Sequence, residues 1–100
     1  MNKNYIIMLN APPSLEESMV DCLLLLEHDL GFCSFPIYAH HHENKGLSLG
    51  EQVSGRQKKL RFQMVVSAPA LADLLAQLQQ KFTGAGIDYW VLPMTESGKI

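Results

Sequence analysis

Three groups of side chains in this 100-residue chain are of types and spacings that could do chemistry. The first is His40-His41-His42 followed by Glu43. On an extended strand His40 and His42 point to the same side, about 7 Å apart. Imidazoles with a carboxylate suit zinc, copper or nickel. His28 stands in a different element, so a closed site would draw further ligands from other copies of the chain. The plainer alternative is a solvated strand end. The second group is Arg56-Gln57-Lys58-Lys59, preceded by Gly55. Three cations in four residues could hold a phosphate or an acidic partner surface, and Gly55 allows close backbone approach. Its alternative is a solubilising loop end that keeps an edge from pairing. The third is Leu47, Leu49 and Val53, apolar residues in a polar stretch. They point to burial against the chain's own assembly or a partner protein, and the partner is the preferred reading.

Catalysis finds little support. There is no Gly-x-x-x-x-Gly-Lys-Ser/Thr loop, no nucleophile elbow and no paired-carboxylate arrangement. Cys22 and Cys33 lack metal-ligand spacing and sit among apolar neighbours, so both are expected as buried thiols in a reducing compartment. The expectation is therefore a protein that is not an enzyme. Asp88 is a lone carboxylate beside Tyr89 and Trp90, and is read as a hydrogen-bond partner rather than an acid.

The elements that must position these residues follow from the apolar pattern. Asn4–Asn10 reads as a central strand, apolar on both faces, stopped by Pro12 and Pro13. Ser14 with Glu17 forms a capping-box pattern opening a helix with a Leu15, Met19, Cys22, Leu23, Leu26 stripe. Gly31 is its natural stop. Phe32–His40 alternates, with Cys33, Phe35, Ile37 and Ala39 on one side and Ser34, Tyr38 and His40 on the other. Pro36 argues that this strand lies at an edge. The polar stretch from His41 to Lys58 is read as one long loop of functional type. Lys59–Ser67 alternates again, Pro69 opens a second helix with a Leu71, Leu74, Leu75, Leu78, Phe82 stripe, and Ile87–Met94 closes the set as a strand.

The resulting β-α-β-β-α-β order predicts an α+β, ferredoxin-like sandwich in one domain spanning 1–100. Two one-sided helices cover one face of a four-stranded antiparallel sheet. The other face, expected to carry Tyr38, His40, Gln63 and Val65, needs water or a second subunit to cover it. The two adjacent aromatics Tyr89 and Trp90 are expected to split between core and interface. Composition agrees: 47% hydrophobic and 18% charged residues make a globular chain, which buries roughly two-thirds of its extended surface. A formal net charge of −2 gives no basic surplus for a nucleic-acid backbone. The apolar runs at Tyr5–Leu9 and Cys22–Leu26 are too short to span a bilayer, so a cytoplasmic protein without direct membrane insertion is expected.

The run Gly46-Leu47-Ser48-Leu49-Gly50-Glu51-Gln52-Val53-Ser54-Gly55-Arg56-Gln57 resembles a Gly-Leu-Ser-x-x-Glu-Gln-Val-x-Gly-Arg-Gln stretch of a small, largely uncharacterised PII-like bacterial family. Gly86-Ile87-Asp88-Tyr89-Trp90-Val91 is similar to a second segment of that family. Through it the chain resembles PII signal proteins and the CutA divalent-cation-tolerance proteins. The resemblance implies a homotrimer with open sheet faces packed together. It implies a regulatory role in which Leu47, Leu49, Glu51 and Val53 of a T-loop-like segment, 41–58, contact a partner. The family's setting beside heavy-metal efflux implies a membrane transporter or efflux component as that partner. It further implies that Gly55, Arg56, Gln57 and Lys58, with Thr83 and Gly84, would meet a ligand such as an adenine nucleotide. Departures weigh against the nucleotide: Ser54 replaces an expected glycine, and the short segment after Gly84 has no lysine or arginine for a triphosphate. The CutA likeness implies the alternative, a metal-binding accessory protein using His40, His42 and Glu43.

Overall fold

The computed structural model describes residues 3–26, 31–40 and 56–100. Its elements are β1 (Asn4–Ala11), a 3-10 turn (Pro13–Leu15), α1 (Glu16–Leu26), β2 (Phe32–His40), β3 (Arg56–Ser67), α2 (Ala68–Phe82) and β4 (Asp88–Pro93). The strands form one antiparallel sheet in the order β2-β3-β1-β4. The doubly apolar β1 is thus central. Proline-bearing β2 is an edge, where Pro36 forfeits no needed ladder bond.

The helices begin by different devices. Ser67 caps α2, its Oγ accepting from the Ala70 N–H at 3.4 Å, with a proline in the first turn. At α1 the expected Ser14–Glu17 capping box does not form. The paired prolines close a 3-10 turn in which the Leu15 N–H donates to the Pro12 carbonyl at 3.0 Å, without a side-chain cap. Ser14 lies inside that turn and cannot stand before the helix. Glu16 and Glu17 do occupy the first turn of α1, where the helix dipole favours them.

Between the helices and the sheet lies the core: Ile7, Leu9 and Ala11 of β1, Phe62, Met64 and Val66 of β3, Met19, Cys22 and Leu23 of α1, and Leu74 and Leu78 of α2. Both helical stripes therefore pack as their spacing predicts, although Leu24 and Leu25 of the leucine run are 55% and 80% exposed. Five consecutive helical residues cannot share one face. Gly31 adopts φ 67°, the left-handed turn that leads into β2.

Register decides which residues face away from the helices. In β1 and β3 the odd residues Ile7 and Leu9 pair with the even residues Met64 and Phe62, all buried. In β2, Phe32 pairs with Met64 and packs on the core. Its even-numbered mates Tyr38 and His40 consequently share the helix side, and Cys33, Phe35, Ile37 and Ala39 take the open face. This reverses the expected phase of β2 for Tyr38 and His40, while Gln63 and Val65 lie on the open face as expected. It also corrects the cysteines. Cys22 is buried, but Cys33 is exposed.

Candidate ligand and partner site

The β2–β3 ladder is longer than the sheet behind it. The last residue of β1 to pair with β3 is Ala11, opposite Leu60. The β2–β3 pairing continues through Lys59, Lys58, Gln57 and Arg56, opposite Ile37, Tyr38, Ala39 and His40. Four further rungs make a two-stranded arm projecting about 13 Å beyond β1. Arg56, Gln57 and Lys58, expected at a loop base, are thus the first residues of β3. Strand alternation divides the cationic run. Arg56 and Lys58 share a face with Tyr38 and His40, whereas Gln57 and Lys59 face the opposite way.

On the arm, the Arg56 guanidinium stacks over the Tyr38 ring at 4.3 Å from its centroid. The ring's electron-rich face attracts the cation and fixes its position on the arm. His40 is exposed and in register with Arg56. A neighbouring guanidinium works against a dication at His40 and in favour of an anion. His42, Glu43, Leu47, Leu49, Glu51, Val53 and Gly55 lie outside the described residues. Among the described residues, no three His, Cys, Asp or Glu side chains come together as a metal site.

Thr83 and Gly84 sit elsewhere. They end α2 and line a pocket of about 350 Å³ with Leu75, Phe82, Ile87 and Tyr89. The Thr83 hydroxyl donates to the Gln79 carbonyl one helical turn back. Gly84 and Gly86 take φ 78° and 83°, which turns the chain tightly into β4. The pocket wall is mainly apolar and contains no lysine or arginine, so it does not suit a triphosphate. β3 and β4 both run antiparallel to β1, so the arm and this turn lie at the same end of the sheet. Lys59 of the arm reaches the start of β4 at Asp88, while Thr83 and Gly84 line the apolar pocket.

The open face holds a polar row that the sequence reading missed. Phe35, Arg61, Asn10 and Asp88 lie side by side across the four strands. The Arg61 Nε–H donates to Asn10 Oδ1 at 2.8 Å, and its guanidinium lies 5.8 Å from the Trp90 ring centroid. Lys59, only 9% exposed, reaches over to Asp88 at 3.9 Å. The signal was the alternation of Lys59, Arg61 and Gln63 in β3, matched by Asp88 and Trp90 in β4. Tyr89 and Trp90 do take opposite faces, but at 48% and 46% exposure neither is core. Among the described residues β4 is an edge strand, and both of its aromatics stay half-exposed.

Known proteins place this geometry in a group. A family model described as "Protein of unknown function (DUF3240)" matches residues 1–100. The crystal structure of a DUF3240 family protein from Shewanella baltica superposes with TM-score 0.79 at 23% identity, covering 100% of this chain and 99% of that one. A putative PII-like signaling protein from Thermus thermophilus gives TM-score 0.66 at 16% identity, covering 92% and 87%. CutA from Synechococcus elongatus gives 0.69 at 13% identity, covering 94% and 79%. No curated protein matches the chain. The PII and CutA likenesses establish the ferredoxin-like fold. No helix among the described residues is long and apolar enough to cross a membrane.

Proposed function

The chain belongs to the DUF3240 family of proteins of unknown function, and on that premise we propose that it is a non-catalytic, PII-like regulatory protein of the cytoplasm. It self-associates as a homotrimer and uses the segment from 41 to 58 to contact a partner protein, a membrane transporter or efflux component. A small anionic ligand at the root of that segment controls the contact. The observation that carries this reading is the projecting β2–β3 arm, which bears Arg56 and Lys58 on one face at the point where the segment leaves the sheet. Ordering the root of a segment by a ligand changes which conformations the rest of it populates, and so what it binds. In the assembly, Thr83 and Gly84 of a neighbouring copy complete the ligand set.

A second reading, a metal-binding accessory protein in cation tolerance, is favoured by His40, exposed at the end of β2 and two residues before His42 in the sequence. One experiment separates the two. Metal-stripped protein is melted with zinc, copper, nickel or cobalt, and with ATP, ADP, AMP or inorganic phosphate. A ligand at a hundredfold excess over its Kd stabilises the folded state by about 2.7 kcal/mol, a shift of several degrees for a domain of this size. The regulatory reading expects shifts with the anions that vanish in an Arg56→Ala/Lys58→Ala variant. Shifts with metals alone, abolished by His40→Ala/His42→Ala, would replace it by the accessory reading. No shift with any ligand would remove ligand control from both.

A further inference from the structure

Arg61 and Asp88 lie on the same open face, on the two strands that flank β1, both in register with Asn10. Two strand spacings, roughly 10 Å, separate their backbones. Each is engaged elsewhere in its own chain. Asp88 holds the Lys59 ammonium at 3.9 Å, and Arg61 gives one N–H to Asn10 and leans towards Trp90. A guanidinium has five N–H donors, and Asn10 takes one of Arg61's. Covering this face would bury the others without partners, and an uncompensated buried charge is strongly destabilising. Any subunit docking here must bring an acceptor.

The face carries that acceptor itself. The Asp88 side chain is 67% exposed. Its contact with Lys59 is longer than the ~2.8 Å of a full charge-assisted hydrogen bond, so a carboxylate with two oxygens has capacity to spare. Donor and acceptor stand on opposite sides of the central strand, an arrangement that suits contact between copies. Among the described strand residues of this face, Asp88 is the sole carboxylate facing the cations Lys59 and Arg61. Apolar neighbours on the same face, Phe35, Met8 and Trp90, would exclude water and strengthen such a pair.

We propose that the open face docks onto a second copy of the chain by placing the Arg61 guanidinium of one copy on the partner's Asp88, with that carboxylate steadied from its own side by Lys59. The inference rests on the self-association proposed above and adds the contact that sets its register.

The test is sedimentation velocity over a dilution series, with the emission of Trp90, the chain's single tryptophan, as a reporter on the same face. The wild type is expected to sediment as an assembly at micromolar concentration with blue-shifted emission. Asp88→Asn, an isosteric change on an exposed side chain, and Arg61→Glu should each raise the dissociation concentration at least tenfold and red-shift Trp90. The double reversal Arg61→Glu/Asp88→Arg should recover assembly, because the carboxylate introduced on β3 can then accept from both Lys59 and the guanidinium introduced on β4 of the second copy. Circular dichroism establishes that each variant is folded. A monomeric wild type would overturn the self-association reading, and this inference with it. An assembled wild type whose mass is unchanged by Asp88→Asn or by Arg61→Glu, or whose double reversal fails to recover, would overturn the Arg61–Asp88 contact alone.

Discussion

The two faces of the sheet are built from the same strands by opposite rules. On the helix side, Ile7, Leu9, Phe62 and Met64 are at most 4% exposed, and the part of the face beneath the helices is close-packed hydrocarbon. On the open side, Met8, Val65, Trp90 and Leu92 are interleaved with Asn10, Lys59, Arg61 and Asp88. The first face is finished within one chain. The second has apolar area without cover and charges that satisfy one another only in part. A face built for water would carry fewer large apolar groups, and a face built for a core would carry no arginine. The difference teaches that packing energy holds the fold from one side, while the other side is free to specialise in recognition.

The contrast can be broken first by core truncation. Phe62→Ala removes a ring that is 1% exposed and lies 6.4 Å from the Phe32 ring. It should cost about 3–5 kcal/mol and lower the melting temperature at every protein concentration, as denaturant and thermal melts would check. Its counterpart Val65→Asp, on the open face, should leave the dilute chain folded and abolish the rise of melting temperature with concentration expected of an associating protein. An equal, concentration-independent loss in both variants would end the distinction between the faces.

A smaller effect tests how the helix side is anchored. Ser67→Ala deletes the cap of α2 and should cost about 1 kcal/mol without altering assembly, measured by urea denaturation and sedimentation together. The smallest effect sharpens the comparison at no cost in stability. Cys33 should react rapidly with a thiol reagent in dilute protein and slowly when concentration favours association. Cys22 should react only on unfolding. Rapid labelling of Cys22 in the native chain would show that the helix-covered face is not closed.

Much of the architecture was legible in the residues. Helical stripes, the alternation of β3, the double apolarity of β1 and the proline in β2 specify element order, a central and an edge strand, and helices on one face. Each is a local pattern whose period is set by backbone geometry. The beginnings and ends of elements were less legible. Arg56, Gln57 and Lys58 are polar and follow a glycine, so they read as loop. They become strand because β2, already held in the sheet by its other half, offers them a ladder.

What the sequence by itself determined is therefore the βαββαβ order, the core residues of the two helices and of β3, and the cationic and histidine-rich character of the segment after β2. What only the tertiary structure decided is the side on which each residue of β2 stands. Cys33, Phe35, Ile37 and Ala39 are the more apolar set, and the hydrophobic pattern of an isolated strand assigns them to the core. Pairing of Phe32 with Met64 assigns them to the open face instead. The period of a strand is two residues, so a register fixed by a neighbouring strand settles every side chain at once. No local pattern carries that information, because it belongs to the pair of strands and not to either one.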